Sequence, residues 1–561
     1  MKSYTHIVFL CTLCIFCIEM KGARNLMLFR GSISFNSIND RESAGNDKVI
    51  FSQAVDIDTA VFYSADTVRL QLDNEEIIVV KKNSAIDYGM DYQYNAYESE
   101  DAYVFISKLG NNIHGIIHSA SGTYNIETYN DIYVLKKIDM DSVPDDAEPV
   151  ISDEIMDSLN SSLWNSKSNN TVIRVLVLYT PEALSLRPYM LNKVFTDINN
   201  GNNSFINSNI NSRFQLAYVG PTANSESGYS YDQLLEKFKN SEDGKFDEVH
   251  TLRNKYSADV CVLLVSSDQY CGKGYIKSNM NTAFVVVTAS YGCENKYTFT
   301  HEIGHNIGCL HDRFVDNSNT PYKYGHGYVH YISGNQAVSW RTIMAYYDEC
   351  GSSSNCIRIP YWSNPNITHN GIAMGTTTYE DNARVWNERS STVGAFKTNP
   401  NTITLTSSNS QALFESYEAT STITTGAGYE VQTGQTVDMA AATYIRLTPN
   451  THIKSGSKFR ASIRNNADGN TYPQFTASRH TDKKESQKES NLSVLPNPII
   501  DILHIHSSEA LSSVRIYDLN GQCLLRTTDT EINVSALPAG LYVLTAQTAS
   551  GDTMQTKFIK Q

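Results

Sequence analysis

A chain of several domains is predicted, with one mixed α/β domain near its centre and β-rich modules on either side. Three observations point there. The 561 residues are enough for three or four domains rather than one. Between about 171 and 398, continuous apolar runs of buried-strand type alternate with helical stretches. Outside that span the runs are short, alternate apolar with polar residues, and are separated by turn-forming residues. Apolar residues make up 41% and charged residues 19%, so most of the chain can bury a core. The net charge of −14 is spread out, and no basic stripe suggests nucleic acid as a partner.

The elements follow in chain order. Residues 1–23 carry Lys2, an apolar run from Ile7 to Ile18 and a small-residue exit at Gly22 and Ala23. The run is too short to span a bilayer and fits a secretory signal peptide. Residues 24–168 contain no cysteine and show short alternating runs such as AYVFI and DIYVL, ending in an acidic, Ser- and Asn-rich stretch over 140–170. They read as a β-rich pro-domain, with a permanent accessory domain as the competing reading. The central domain, 169–398, opens with TVIRVLVLYT, and ADVCVLLVS and AFVVVTAS give two further strands. A small all-β module is expected over 402–464, a polar linker over 465–490 and a last β-rich domain over 491–561. No repeat of solenoid type is read anywhere.

Cysteines agree with export. Cys11, Cys14 and Cys17 leave with the signal, Cys523 stands alone near the end, and six fall between Cys261 and Cys356. Six allow three disulfides, with Cys350–Cys356 the easiest local closure; the alternative is that several are buried free thiols.

The stretch TFTHEIGHNIGCLHD, 298–312, carries the chemistry. On a helix, His301 and His305 are four apart and share a face, so both imidazoles can point at one ion. Glu302 flanks that ion and can take a proton from a water activated there. Gly308 lets the helix stop and the chain turn back, which brings His311 within reach as a third ligand and leaves a fourth position open. No glutamate lies between Asn306 and Asp348, which weakens a carboxylate as third ligand. His326 and His330 are other candidates that read more simply as loop residues.

The string HEIGHNIGCLHD resembles the extended zinc motif of the metzincin metallopeptidases, and Asn306 with His311 and Asp312 is similar to their reprolysin (adamalysin) branch. The resemblance covers about 171–398. It implies an α/β domain with a twisted mixed sheet and a site between two lobes. One Zn2+ would sit on His301, His305 and His311, and Glu302 would be general base and acid. Met344 in TIMAY would form the methionine turn beneath the metal. Residues 283–290 would be the edge strand that pairs with extended substrate, and 358–365 would line the pocket for the residue after the scissile bond. Tyr346 departs from the branch: a tyrosine two after the methionine is similar to astacins and serralysins, so it is a candidate zinc ligand or hydrogen-bond donor to the intermediate, with plain packing as the alternative. Structural Ca2+ has no loop motif behind it. Asp348 and Glu349, near the pocket wall, would favour a basic substrate residue, unless they are simply exposed.

Latency stays open at this level. No cysteine lies between Arg24 and Val260, so a cysteine thiolate on the zinc is excluded, leaving an acidic ligand or steric blockage. A cut near Lys167 would release the central domain. At the other end LPNP, VRIYDLNGQ and LPAGLYVL resemble the C-terminal sorting domain of the type IX secretion system of Bacteroidota, with a small immunoglobulin-like binding module as the alternative. That resemblance implies the secretion machinery as a partner, outer-membrane passage and an extracellular or surface-attached product. The expectation is a secreted zinc endopeptidase acting on protein or peptide substrates. The alternative is a surface adhesin whose 402–464 module binds glycan or matrix, with proteolysis secondary. Oligomeric state is not legible.

Overall fold

The computed structural model describes residues 48–464 and 492–560, apart from 58–64, 73–76, 152–170 and shorter runs, together with two short strands at 26–30. The signal peptide, Lys167 and the Asn520–Gly521 turn lie outside the described residues. Two compact units divide the chain, Met1–Ser478 and Arg479–Gln561.

In the first unit, residues 26–138 form a ten-stranded sheet. Its strand Tyr103–Leu109 shows why the sequence needs two apolar faces. Val104 and Ile106 point into the sheet's own core with Ile117 and Leu135. Tyr103 and Phe105, on the other face of the pleat, join the core of the central domain.

The central domain is built on β1 (Thr171–Tyr179), α1 (Pro181–Leu186), α2 (Met190–Asn207), β2 (Ser212–Pro221), α3 (Tyr231–Lys239), α4 (Glu248–Lys255), β3 (Val260–Val265), β4 (Gly272–Ile276), β5 (Phe284–Thr288), α5 (Thr298–Ile307) and α6 (Asn382–Val393). The apolar runs β1, β3 and β5 are buried and mutually parallel, as strands covered on both faces must be. Two of the helix starts show a local signal. Thr180 accepts from the Ala183 N–H ahead of α1, and Ser230 with Gln233 closes a capping box on α3.

Two readings of the sequence are corrected. The strand over 283–290 is not the sheet edge: β4 pairs antiparallel to β5 and lies outside it. The edge strand escaped notice because CGKGYI is glycine-rich and short, with little strand signal. The module over 402–464 is a solenoid. Phe414, Thr436 and Lys458 are in register on parallel strands, as are Thr402, Thr422 and Tyr444, and Glu430 with His452. Three parallel stacks make a short β-helix with a rung of about twenty-two residues, and three degenerate copies are too few to show as a period. Nor is it free-standing. Its strand Phe414–Ala419 pairs with β2, so it extends the central sheet.

Of the six central cysteines, Cys271 pairs with Cys293 and Cys350 with Cys356, while Cys261 and Cys309 are buried free thiols. The three-disulfide expectation gives way to the alternative because Cys261 lies inside β3, facing core residues.

The second unit has a three-stranded and a four-stranded sheet around Leu503, Val514, Ile516, Leu544 and Phe558. Among the described residues no helix is long and apolar enough to cross a membrane.

Candidate metal and peptidase site

Helix α5 carries His301, Glu302 and His305, and Gly308 ends it with φ at 120°, in the left-handed region. A side chain at Gly308 would also strike the Tyr322 ring 2.8 Å away. The chain then reverses, with the Leu310 N–H donating to the Gly325 carbonyl at 2.7 Å. The turn delivers His311. Its Nε2 lies 3.3 Å from Nε2 of His301 and 3.0 Å from that of His305. An ion bound at 2.0–2.1 Å in tetrahedral geometry sets its ligands roughly 3.4 Å apart, so the spacing fits one small cation.

The opposite ring nitrogens fix the tautomers. His301 Nδ1–H donates to the Ile343 carbonyl and His305 Nδ1–H to the Cys309 carbonyl, each at 2.9 Å, which turns both Nε2 lone pairs toward the common point. Burial holds both rings well below the ordinary imidazole pKa, so both are neutral and able to bind a metal. The donor set, three imidazoles, suits zinc.

Met344 is fully buried beneath α5; a side chain on Gly304 would meet its sulfur at 2.9 Å. Tyr346 lies against the site, its ring centroid 4.1 Å from that of His311. His326 is no ligand: it donates from Nδ1 to the His311 carbonyl at 2.7 Å and so supports the turn. His330 is half-buried on a separate short strand, stacked near Trp340.

Glu302 is wholly buried and both carboxylate oxygens lack a hydrogen-bond partner. Burial, reinforced by Asp146 nearby, raises its pKa well above the usual carboxylate range. Its space is made by two glycines of β4 that the sequence reading missed. A side chain at Gly272 would overlap Glu302 Oε1 at 2.6 Å, and one at Gly274 would crowd its Oε2 at 3.2 Å. The Cys271–Cys293 bridge ties this strand to the loop entering α5.

A segment of the first domain runs through the site. The Cys271 N–H donates to the Asp145 carbonyl at 3.0 Å and the Ala147 N–H to the Gly272 carbonyl at 2.8 Å. Val150 and Ile151 then pair parallel with Tyr275 and Ile276 of β4. Asp146 is buried. Its Oδ2 lies 3.0 Å from Arg358 Nη1 and 3.7 Å from His301 Nε2, and its carbonyl accepts from the Tyr346 hydroxyl at 2.5 Å. Lys296 donates to Asp145 Oδ1 at 2.8 Å and to the Val143 and Pro144 carbonyls. Burial brings its pKa down to about 8, against the pull of Asp145. The stretch over 140–170, read from sequence as linker, thus contains an ordered blocking strand up to 151. Asp348 and Glu349 are exposed, the alternative left open by the sequence, and the buried charges at the site are Lys296, Arg341 and Arg358 together with Asp146 and Asp312.

Comparison with known proteins agrees with this geometry. Residues 169–356 match the model of metallo-peptidase family M12, and residues 493–561 that of the secretion system C-terminal sorting domain. A peptidyl-Asp metalloendopeptidase of Stenotrophomonas maltophilia is 36% identical over 313 residues, 54% of this chain and 72% of that protein. One from Xanthomonas campestris pv. campestris is 35% identical over 52% of this chain and 69% of that protein. The solved structure of metalloproteinase-II from Bacteroides fragilis aligns over 51% of this chain and 88% of that one, at 12% identity and a TM-score of 0.32.

Proposed function

The chain belongs to metallopeptidase family M12 and carries a secretion sorting domain, and from that premise we propose that it is an exported zinc endopeptidase cutting next to aspartyl residues, made as a blocked precursor. The observation that carries the reading is the convergence of three imidazole Nε2 atoms beside a buried, unpartnered carboxylate. His301, His305 and His311 would hold the zinc. When bound, zinc supplies Lewis acidity and lowers the pKa of water to about 7. Glu302 takes the proton of the attacking water and returns it to the leaving amine, a role that its buried, unpartnered carboxylate beside the three imidazoles suits. Tyr346, once its hydroxyl is freed from the Asp146 carbonyl, donates to the oxygen that gains charge. Met344 supports the imidazoles from below, and Gly308 permits the turn to His311.

The aspartyl preference is supported by the names of the relatives and by the buried cations beside the site. The pro-domain reading of 24–168 is supported by residues 145–151, which occupy the β4 edge that an extended peptide would need. The sorting domain marks the product for the cell surface or exterior of a Bacteroidota-type bacterium. A peptide-library digest tests the whole reading. Cuts are expected beside aspartate, abolished by a chelator and restored by zinc; chelator-resistant cleavage would contradict it.

A further inference from the structure

We propose that Arg358 is the residue that selects an acidic side chain next to the scissile bond, and that Asp146 of the precursor occupies the same seat in cis; this rests on the endopeptidase reading above. Arg358 is buried and its fork is fixed in place. Nη1 donates to the Lys296 carbonyl at 2.8 Å and Nη2 to the Ala345 carbonyl at 3.0 Å. These two carbonyls orient the guanidinium without neutralising it. Among the described residues its one carboxylate partner within ion-pair distance is Asp146, 212 positions away in sequence.

The seat adjoins the metal. Asp146 Oδ2 is 3.0 Å from the guanidinium and 3.7 Å from His301 Nε2, so a side chain bound there belongs to a residue beside the bond being cut. The carboxylate is nearer the guanidinium than His301, and it makes no ion pair with His305 or His311 among the described residues. The ion pair with Arg358 fixes this carboxylate, whose ligand atom also lies within 4.8 Å of those of His301 and Glu302 and so adjoins the metal site.

Departure of the blocking strand also removes Asp145 from Lys296. Two buried cations then lose their partners, an arrangement that strongly favours an incoming carboxylate. An amide of the same shape cannot replace it, because charge-assisted bonding is lost and a buried donor is left unpaired.

The test uses the matured, zinc-loaded enzyme and peptides matched except for Asp or Asn beside the cut. Wild type is expected to favour Asp by about 100-fold in kcat/KM, and Arg358→Gln to reduce that ratio by roughly 30-fold. A merely structural defect lowers both rates and leaves the ratio alone. Should Arg358→Gln not fold, wild-type enzyme reports instead. A synthetic peptide of residues 143–151 should inhibit at least about tenfold better than its Asp146→Asn version. A wild-type ratio retained in folded Arg358→Gln, or equal inhibition by the two peptides, overturns the proposal. A wild type that cuts neither peptide overturns the endopeptidase reading instead.

Discussion

The ligand residues are legible in sequence because their geometry is local. His301, Glu302, His305, Gly308 and His311 span eleven residues, and helix periodicity with one left-handed glycine places them with no knowledge of the rest. What surrounds them is not local. Gly272, Gly274, Asp146 and Arg358 reach the site through sheet pairing across long separations, which no spacing rule encodes. Asp348 and Glu349 follow Tyr346 by two and three positions, yet they face solvent, the alternative that the sequence left open. Two substitutions follow at this scale. Tyr346→Phe should lower kcat by about 100-fold with KM little changed if its hydroxyl stabilises the developing oxyanion. An unchanged kcat would assign the ring to packing. Gly272→Ala forces Glu302 or β4 to move, and should cost about 1–3 kcal/mol in thermal denaturation as well as activity.

Among the elements, α2 lies between the sheet of the first domain and the central core. Its eighteen residues include Lys193, Thr196, Asp197, Asn200 and Asn203, all buried. A helix this polar is not built for a permanent interior. It is buried by polar contacts with the first domain: Tyr94 donates to Asn200 and Ser84 to Asn203, both at 2.9 Å. Nearby, Arg187 bridges Glu127 of the first domain and Glu294 of the central domain at 2.7 Å each. The interface is mixed, since Tyr92, Tyr94, Tyr103 and Phe105 of the first domain also join the central core, Tyr92 stacking on Phe195 at 3.9 Å. Burial alone would raise the Glu127 pKa, but Arg187 and Lys136 outweigh it and hold the group at about 2. A depressed folded-state value stabilises docking above the unfolded value of about 4.3, and that stability is lost as pH falls from there toward about 2. The loss of precursor melting temperature below about pH 4 should therefore be smaller in Glu127→Gln than in wild type; equal losses would exclude this bridge as the clamp. The blocking strand makes a separate prediction. Asp146→Ala should raise the residual activity of the uncleaved precursor by roughly tenfold or more. No rise would mean that the backbone of 145–151 blocks without help from its carboxylate.

For the whole molecule, the sequence conveyed the order of modules but not which of them fold together. The composition change after 399 suggested a boundary, whereas the β-helix shares a sheet with the central domain and fills its outer side. Arg174 of β1 binds the Glu418 carboxylate at 3.0 Å and the Ser416 carbonyl at 2.9 Å. A chain ending at 398 leaves the β2 edge unpaired and strips this arginine of its carboxylate partner, leaving it the Tyr256 carbonyl. It should aggregate or melt well below one ending at 464. Removing 479–561, a separate compact unit, should leave the melting temperature and activity of the remainder unchanged. Equal stability of the 398 and 464 forms would restore the module as an independent domain.

The most direct test is the rate at which the matured Glu302→Gln enzyme, verified to hold as much zinc as wild type, cleaves an aspartate-containing peptide. With the metal in place and only the proton carrier removed, the rate should fall by at least about 10³-fold. A rate within tenfold of wild type at equal zinc would show that this carboxylate does not move the proton and that the site works by another route.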